Sequence, residues 1–222
     1  MWWGSRLLVG VCLAGCPGPT DPVQPDGNPP VDTGDGPAPG ASKLTIAWAT
    51  TPMSPGTTAG GNQLEDVRFR MENLKAVVDV DPNAPNTTKD EYSLHWDSDD
   101  MPESITFDNA PAGRYTSIVL QLDDGNDEKA IDIRGEDDDG DTFKIDESAS
   151  LSISISCNTM LEPGSEKTLV IDIDLAAALD PIPFDTLPAD DGVDHHLEDD
   201  DNPVEMEEFR TRLQQAFTVR EN

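Results

Sequence analysis

Pro111-Ala112-Gly113-Arg114-Tyr115-Thr116-Ser117-Ile118-Val119-Leu120-Gln121-Leu122 decides the fold class. Pro and Gly make a turn, and the residues after them are β-branched, aromatic or aliphatic with a period of two. Ile118, Leu120 and Leu122 fall on one face, Val119 and Gln121 on the other. That is the pattern of a half-buried strand entered through a tight turn.

The same grammar repeats outward in both directions. Upstream, Leu44, Ile46 and Trp48 share a face in Lys43 to Ala49, Val67, Phe69 and Met71 alternate, and a break near Glu72-Asn73 leads into Leu74 to Val80. Tyr92, Leu94 and Trp96 share a face, as do Ile105 and Phe107. Downstream lie Ala130 to Ile133, Phe143 to Ile145, Leu151 to Cys157 and Thr168 to Leu175. Asp, Asn, Gly and Pro separate these segments at about 8 to 14 residues, the spacing of an all-β domain. No stretch here is long enough for repeated helical crossovers, so a doubly wound fold is excluded. The expected class is mostly β: an antiparallel β-sandwich, Greek-key-like and prealbumin- or immunoglobulin-like in layout, over residues 43–179.

Beyond it, residues 180–201 read as an irregular acidic loop. Asn202 then offers a cap, Pro203 suits the first helical position, and Glu205 sits three after the cap. Met206, Phe209, Leu213, Ala216 and Phe217 form one apolar stripe. An amphipathic helix over 202–219 is expected to cover an open end or face of the sandwich, with a partner-binding helix as the alternative.

At the other end, Arg6 precedes the short apolar run Leu7-Leu8-Val9-Gly10-Val11-Cys12, which is closed by Leu13-Ala14-Gly15-Cys16. The layout is that of a signal peptide, and the run is too short for a membrane span, which takes about 20 residues. Leu13-Ala14-Gly15-Cys16 resembles the bacterial lipoprotein signal. That resemblance implies cleavage after residue 15, a lipid on Cys16 and a mature protein outside the cytoplasm. Pro17 stands where an inner-membrane retention signal would place Asp, so the resemblance implies anchoring in the outer membrane of a Gram-negative bacterium. Residues 17–40 hold eight Pro and five Gly with almost nothing apolar. Residues 16–42 therefore read as lipidated Cys plus tether. Cys157 remains as a lone thiol on the apolar face of its strand, a core position rather than a nucleophile, since no His neighbours it in sequence.

The turn and strand at 111–122, together with Leu169-Val170-Ile171-Asp172-Ile173-Asp174-Leu175, resemble a family of bacterial lipoprotein domains of unknown function with a predicted sandwich fold. The family implies fold and supplies no catalytic residues. Asn109-Ala110 stands where the family often has Leu, and the loop tips are more acidic.

Lys and Arg number 14 against 45 Asp and Glu, a net charge of −31. Such a surface repels nucleic acid, which needs basic groups to neutralise phosphate. No Gly-rich turn opens a helix, so no nucleotide is expected. Acidity invites cations instead. Asp97, Asp99 and Asp100 form one candidate Ca2+ loop, and Asp137, Asp139 and Asp141, with Gly140 for a sharp turn, form another. The second is no EF-hand: with Gly140 in the sixth position, Gly135 occupies the first and Asp146 the twelfth. A solvated hairpin tip is the competing reading. Asp190 to Asp201 encloses His195-His196, which suit a transition metal by chemistry but read as a solvent-facing linker. Trp48 and Trp96, with Tyr92 and Tyr115, offer a sugar-stacking face, against which their inward alternation favours core packing. No Gly-x-Ser-x-Gly elbow is present.

The function expected is therefore noncatalytic: binding of a surface protein or a polymer such as a polysaccharide, with Ca2+ assistance. A structural envelope component and an extracytoplasmic hydrolase are the alternatives.

Overall fold

The computed structural model describes residues 41–222 apart from Ser54, Asn126 and Asp127. The signal peptide, Cys16 and the tether as far as residue 40 lie outside the described residues. Among the described residues twelve strands and two α-helices follow one another: β1 (Lys43–Thr51), β2 (Gly56–Thr57), β3 (Gln63–Val78), β4 (Thr88–Trp96), β5 (Ile105–Asp108), β6 (Gly113–Leu122), β7 (Ile131–Glu136), β8 (Thr142–Glu147), β9 (Leu151–Leu161), β10 (Glu166–Asp174), α1 (Leu175–Leu179), β11 (His195–Leu197), α2 (Pro203–Ala216) and β12 (Phe217–Glu221).

They form two sheets. The smaller has the order β12-β10-β1-β5, and the larger runs β11-β8-β7-β3-β6-β9 with β2 and β4 on the other side of β3. The mostly β character and the two-sheet arrangement agree with the periodicity of the sequence. The larger sheet curls into a half-barrel around β3, whose first half pairs with β7 and whose second half pairs with β6. Register shifts at Leu64/Asp66, Glu72/Lys75 and Val77/Val78 mark the bends. The break expected near Glu72-Asn73 is thus a bulge inside one 16-residue strand, with Asn73 at φ 54°.

Pairing is not antiparallel throughout. β1 runs parallel to β10 over nine residues, and β11 runs parallel to β8. A parallel pair needs a long crossover. For β1 and β10 the strands β2 to β9 lie between them in sequence and supply it, which strand periodicity does not reveal.

The turn at 111–113 is closed by Tyr115, whose fully buried ring sends its hydroxyl back to donate to the Pro111 carbonyl at 3.0 Å. Burial pushes that phenol up to about 12. The core holds Leu44, Ile46, Phe69, Met71, Leu94 and Ile118, each 1% exposed or less. Phe69 sits edge-on to both Trp96 and Phe217 at 6.2 Å.

The C-terminal helix forms, with Met206, Phe209, Leu213 and Ala216 buried. It ends at Ala216, earlier than its apolar stripe suggests, because Phe217 to Glu221 switch to strand and take the open edge of β10. Asn202 accepts from Met206 N through its backbone carbonyl, but its side chain makes no cap bond. The stretch read as irregular, 180–201, instead contains a 3-10 turn at Phe184–Thr186 and β11, with Phe184 stacked on Phe143 at 4.5 Å.

Candidate functional site: a histidine–carboxylate cluster

The hairpin tip joining β7 to β8 is wired by its first acid. Asp137 Oδ1 accepts from Asp139 N at 3.0 Å and Asp141 N at 2.9 Å, while its backbone N–H donates to the Asp141 carbonyl. Asp is suited to this because its short carboxylate caps the backbone two residues on. Gly140, at φ 88°, makes the reversal, and a Cβ there would meet nothing within 4 Å. The left-handed backbone alone therefore asks for Gly.

A second segment docks beside this tip. The turn Asp190 to Val193 uses left-handed residues Asp191 and Gly192. Asp194 then accepts from Thr142 N at 3.0 Å and Thr142 Oγ1 at 2.7 Å, and its own N–H donates to the Thr142 carbonyl. Those bonds hold the Asp194 carboxyl below the ordinary carboxylate range, and they set β11 alongside β8. His195 is thereby brought onto the hairpin, with Nε2 at 3.3 Å from Asp137 Oδ2 and 3.8 Å from Asp141 Oδ2.

Ligand-type atoms of Asp137, Asp141 and His195 all lie within 4.8 Å of one another. The Asp137 side chain is 5% exposed and that of His195 12%. Among the described residues no Lys or Arg pairs with either carboxylate. Asp139 contributes only its backbone N–H, so of the three acids expected at this tip, two converge.

Among the described residues three further carboxylate-rich clusters differ from it in electrostatics or in donor set. Asp146, His196 and Glu198 converge, with His196 Nε2 at 3.2 Å from Asp146 Oδ2. Asp146 already holds Lys144 at 2.7 Å and Lys129 at 3.1 Å. Burial pushes the Asp146 carboxyl up, but the two lysines outweigh it and leave it lowered. Lys144 also binds Asp191. This cluster is an internally neutralised ion network.

In the second, His95 Nε2 lies 3.3 Å from both Asp66 and Asp97, and Nδ1 lies 3.4 Å from Asp100. Arg68 grips Asp66 with two bonds of 2.9 and 2.8 Å, supplying the cation there. Backbone N–H groups of Asp99 and Asp100 lower the Asp97 carboxyl. Of the expected acids Asp97 and Asp100 gather, while the contact found for Asp99 is its backbone N–H on Asp97. The third, Asp190, Glu198 and Asp201, has no imidazole.

Clusters of Asp, Glu and His are thus present that can coordinate a divalent metal. Among the described residues the Asp137–Asp141–His195 set is the one that combines a nitrogen donor with carboxylates free of a Lys or Arg partner. Sequence reasoning placed His195 in a solvent-facing linker and passed over His95 and Asp66. The two-residue steps His95–Asp97 and Asp66–Arg68 on outward strand positions were the available signal.

Trp48 is 8% exposed and Trp96 1%. Trp48 stacks on Tyr92 at 6.3 Å and Trp96 packs on Phe69, so neither presents a ring face to a ligand. Their positions are those of the core alternative.

The fold and the site define a two-sheet, mostly β domain with a histidine–carboxylate centre at one hairpin. Compared with known proteins, the chain matches no protein-family model, no curated protein and no solved structure.

Proposed function

We propose that this chain is a noncatalytic, lipid-anchored envelope protein whose folded domain binds a surface polymer or protein and carries a divalent cation on Asp137, Asp141 and His195. The convergence of those three donors without a Lys or Arg partner carries the proposal. The Asp137 carboxylate, 5% exposed, is costly to hold without a cation, and an ion shared with His195 and the exposed Asp141 supplies one. Cys16 lipidation, the outer-membrane location and the Greek-key layout of the sandwich belong to the same reading and rest on the sequence patterns given above.

The nitrogen donor selects the ion. Ca2+ takes six to eight hard oxygens, whereas Zn2+ accepts a mixed set of about four His and carboxylate ligands. The hairpin therefore favours Zn2+ or a similar ion over the Ca2+ that acidity alone suggests. Three protein donors leave a coordination position for water or for an oxygen of the bound partner.

The test is thermal unfolding of the mature chain with and without ZnCl2. At about 100 times Kd the ion stabilises by about 2.7 kcal/mol, raising Tm by about 5–10 °C. His195→Ala is expected to abolish the rise. An equal rise in the variant would place any bound ion elsewhere and overturn the assignment.

A further inference from the structure

The outer face of the larger sheet carries a cleft unconnected with the hairpin site. Strand register sets Arg68 opposite His95 on β4 and Asp132 on β7, and Arg70 opposite Ser93. Above them lies a cleft of about 350 Å3 that also reaches Lys129. It adjoins one of about 380 Å3 over Lys89, Glu91 and Tyr92, the two sharing Arg70, Ser93 and Glu128. These volumes fall in the range of small-molecule sites.

Arg70 forms the floor and is held rigidly. Its side chain is 9% exposed, and Nη1 donates to the carbonyls of Asp123 at 2.9 Å and Asp124 at 2.8 Å. Glu72 at 3.0 Å, Glu91 at 3.5 Å and Glu128 at 3.9 Å surround it. Four cations (Arg68, Arg70, Lys89 and Lys129) line the joined clefts against three carboxylates (Glu91, Glu128 and Asp132). In a chain with 14 cationic and 45 acidic side chains, this is a concentrated patch in which the two signs nearly balance.

We infer that this cleft binds a neutral, hydroxyl-rich glycan segment. An ion entering would give up hydration and meet groups that already hold partners: Arg70 is ringed by Glu72, Glu91 and Glu128, Arg68 is on Asp66, Lys129 on Asp146 and Asp132 on Arg134. A polyanion would in addition be repelled by the net charge of the molecule. A sugar hydroxyl has no charge to desolvate, and each can donate once and accept twice. Vicinal hydroxyls thus match the alternation of guanidinium or ammonium donors with carboxylate acceptors, and Ser93 adds one more of each. The inference rests on the polymer-binding part of the proposed function, giving it a place and a ligand class, and is independent of the cation.

The test is an amide chemical-shift titration of the mature chain with cellohexaose, maltohexaose and laminarihexaose in EDTA, with oligogalacturonate as the charged counterpart. At least one neutral probe is expected to shift the amides of Arg70, Ser93, His95 and Asp132 saturably, while oligogalacturonate does not. Ser93→Trp fills the cleft from an exposed position and is expected to weaken binding at least about tenfold. Thr106→Trp, exposed on the smaller sheet, is expected to leave it unchanged. The inference is overturned by no saturable shift with any neutral probe at about 10 mM, beyond the usual millimolar range of weak recognition. Insensitivity to Ser93→Trp or preference for oligogalacturonate overturns it equally. Because EDTA strips the hairpin cation, failure here leaves the zinc result standing, and failure of zinc leaves this one standing.

Discussion

Asp146 shows how a single side chain sets the pH range of the fold. Its carboxylate is 4% exposed and held by Lys129 and Lys144. With the folded-state carboxyl lowered from 3.8, its contribution is complete above that value and is lost as pH falls through the lower folded one. Burial opposes the charge on Lys144, but its carboxylate partners outweigh burial and raise it from 10.5, so its contribution is complete below 10.5 and is lost as pH rises beyond it. The bridge thus supports the fold between about pH 4 and 10. Asp146→Asn takes a carboxylate from the exposed Lys129 and leaves the largely buried Lys144 with Asp191 alone, and is expected to cost about 2 kcal/mol in urea unfolding at pH 7, with a flatter acid limb than the wild type. An unchanged acid limb would show that other carboxylates govern it. Tyr115→Phe leaves the Pro111 carbonyl short of a donor and is expected to cost about 1 kcal/mol by the same measurement. At this scale the sequence was partly legible. Alternation told that Trp48 and Trp96 point inward, but nothing local distinguished Asp137, which organises its turn, from Asp139, which does not. That difference is made by a side chain folding back on its own backbone and by His195 arriving from more than fifty residues away.

At the scale of elements, β3 is the strand on which the rest of the larger sheet is hung. Its bulge requires Asn73 at φ 54°, a conformation that Asn and Gly tolerate and β-branched residues resist. Asn73→Val is expected to destabilise by about 1–2 kcal/mol, while Asn73→Gly stays close to neutral; equal effects in a urea melt would remove the strain argument. Period-two alternation located most of the strands, and a 3.6-residue stripe located α2. What it did not show was pairing. The parallel match of β1 with β10 depends on the strands β2 to β9 that intervene, and β11 is three residues long, too short for periodicity to register. Likewise Phe217 continues the helical stripe on paper, yet the free edge of β10 outweighs it.

The whole molecule is dominated by a net charge of −31. Self-repulsion of that size opposes compactness and is screened by salt, whose Debye length falls from about 10 Å at 0.1 M to about 3 Å at 1 M. Tm is therefore expected to rise with NaCl, and a fall would mean that attractive pairs such as Lys144–Asp146 outweigh the general repulsion. Anchoring is expected to depend on one atom: Cys16→Ser should abolish palmitate labelling and release the protein from the membrane fraction. Composition made an acidic, cation-attracting surface legible, but the proposed place and choice of ion rest on the imidazole that β11 brings to the hairpin. The most direct test of that centre is calorimetric titration of ZnCl2, and in parallel CaCl2, into the chelator-treated mature chain. Saturable binding of one equivalent of zinc, tighter than calcium and lost in Asp137→Asn, is the expected result; heats of either ion that fade with added salt and show no saturation would contradict it.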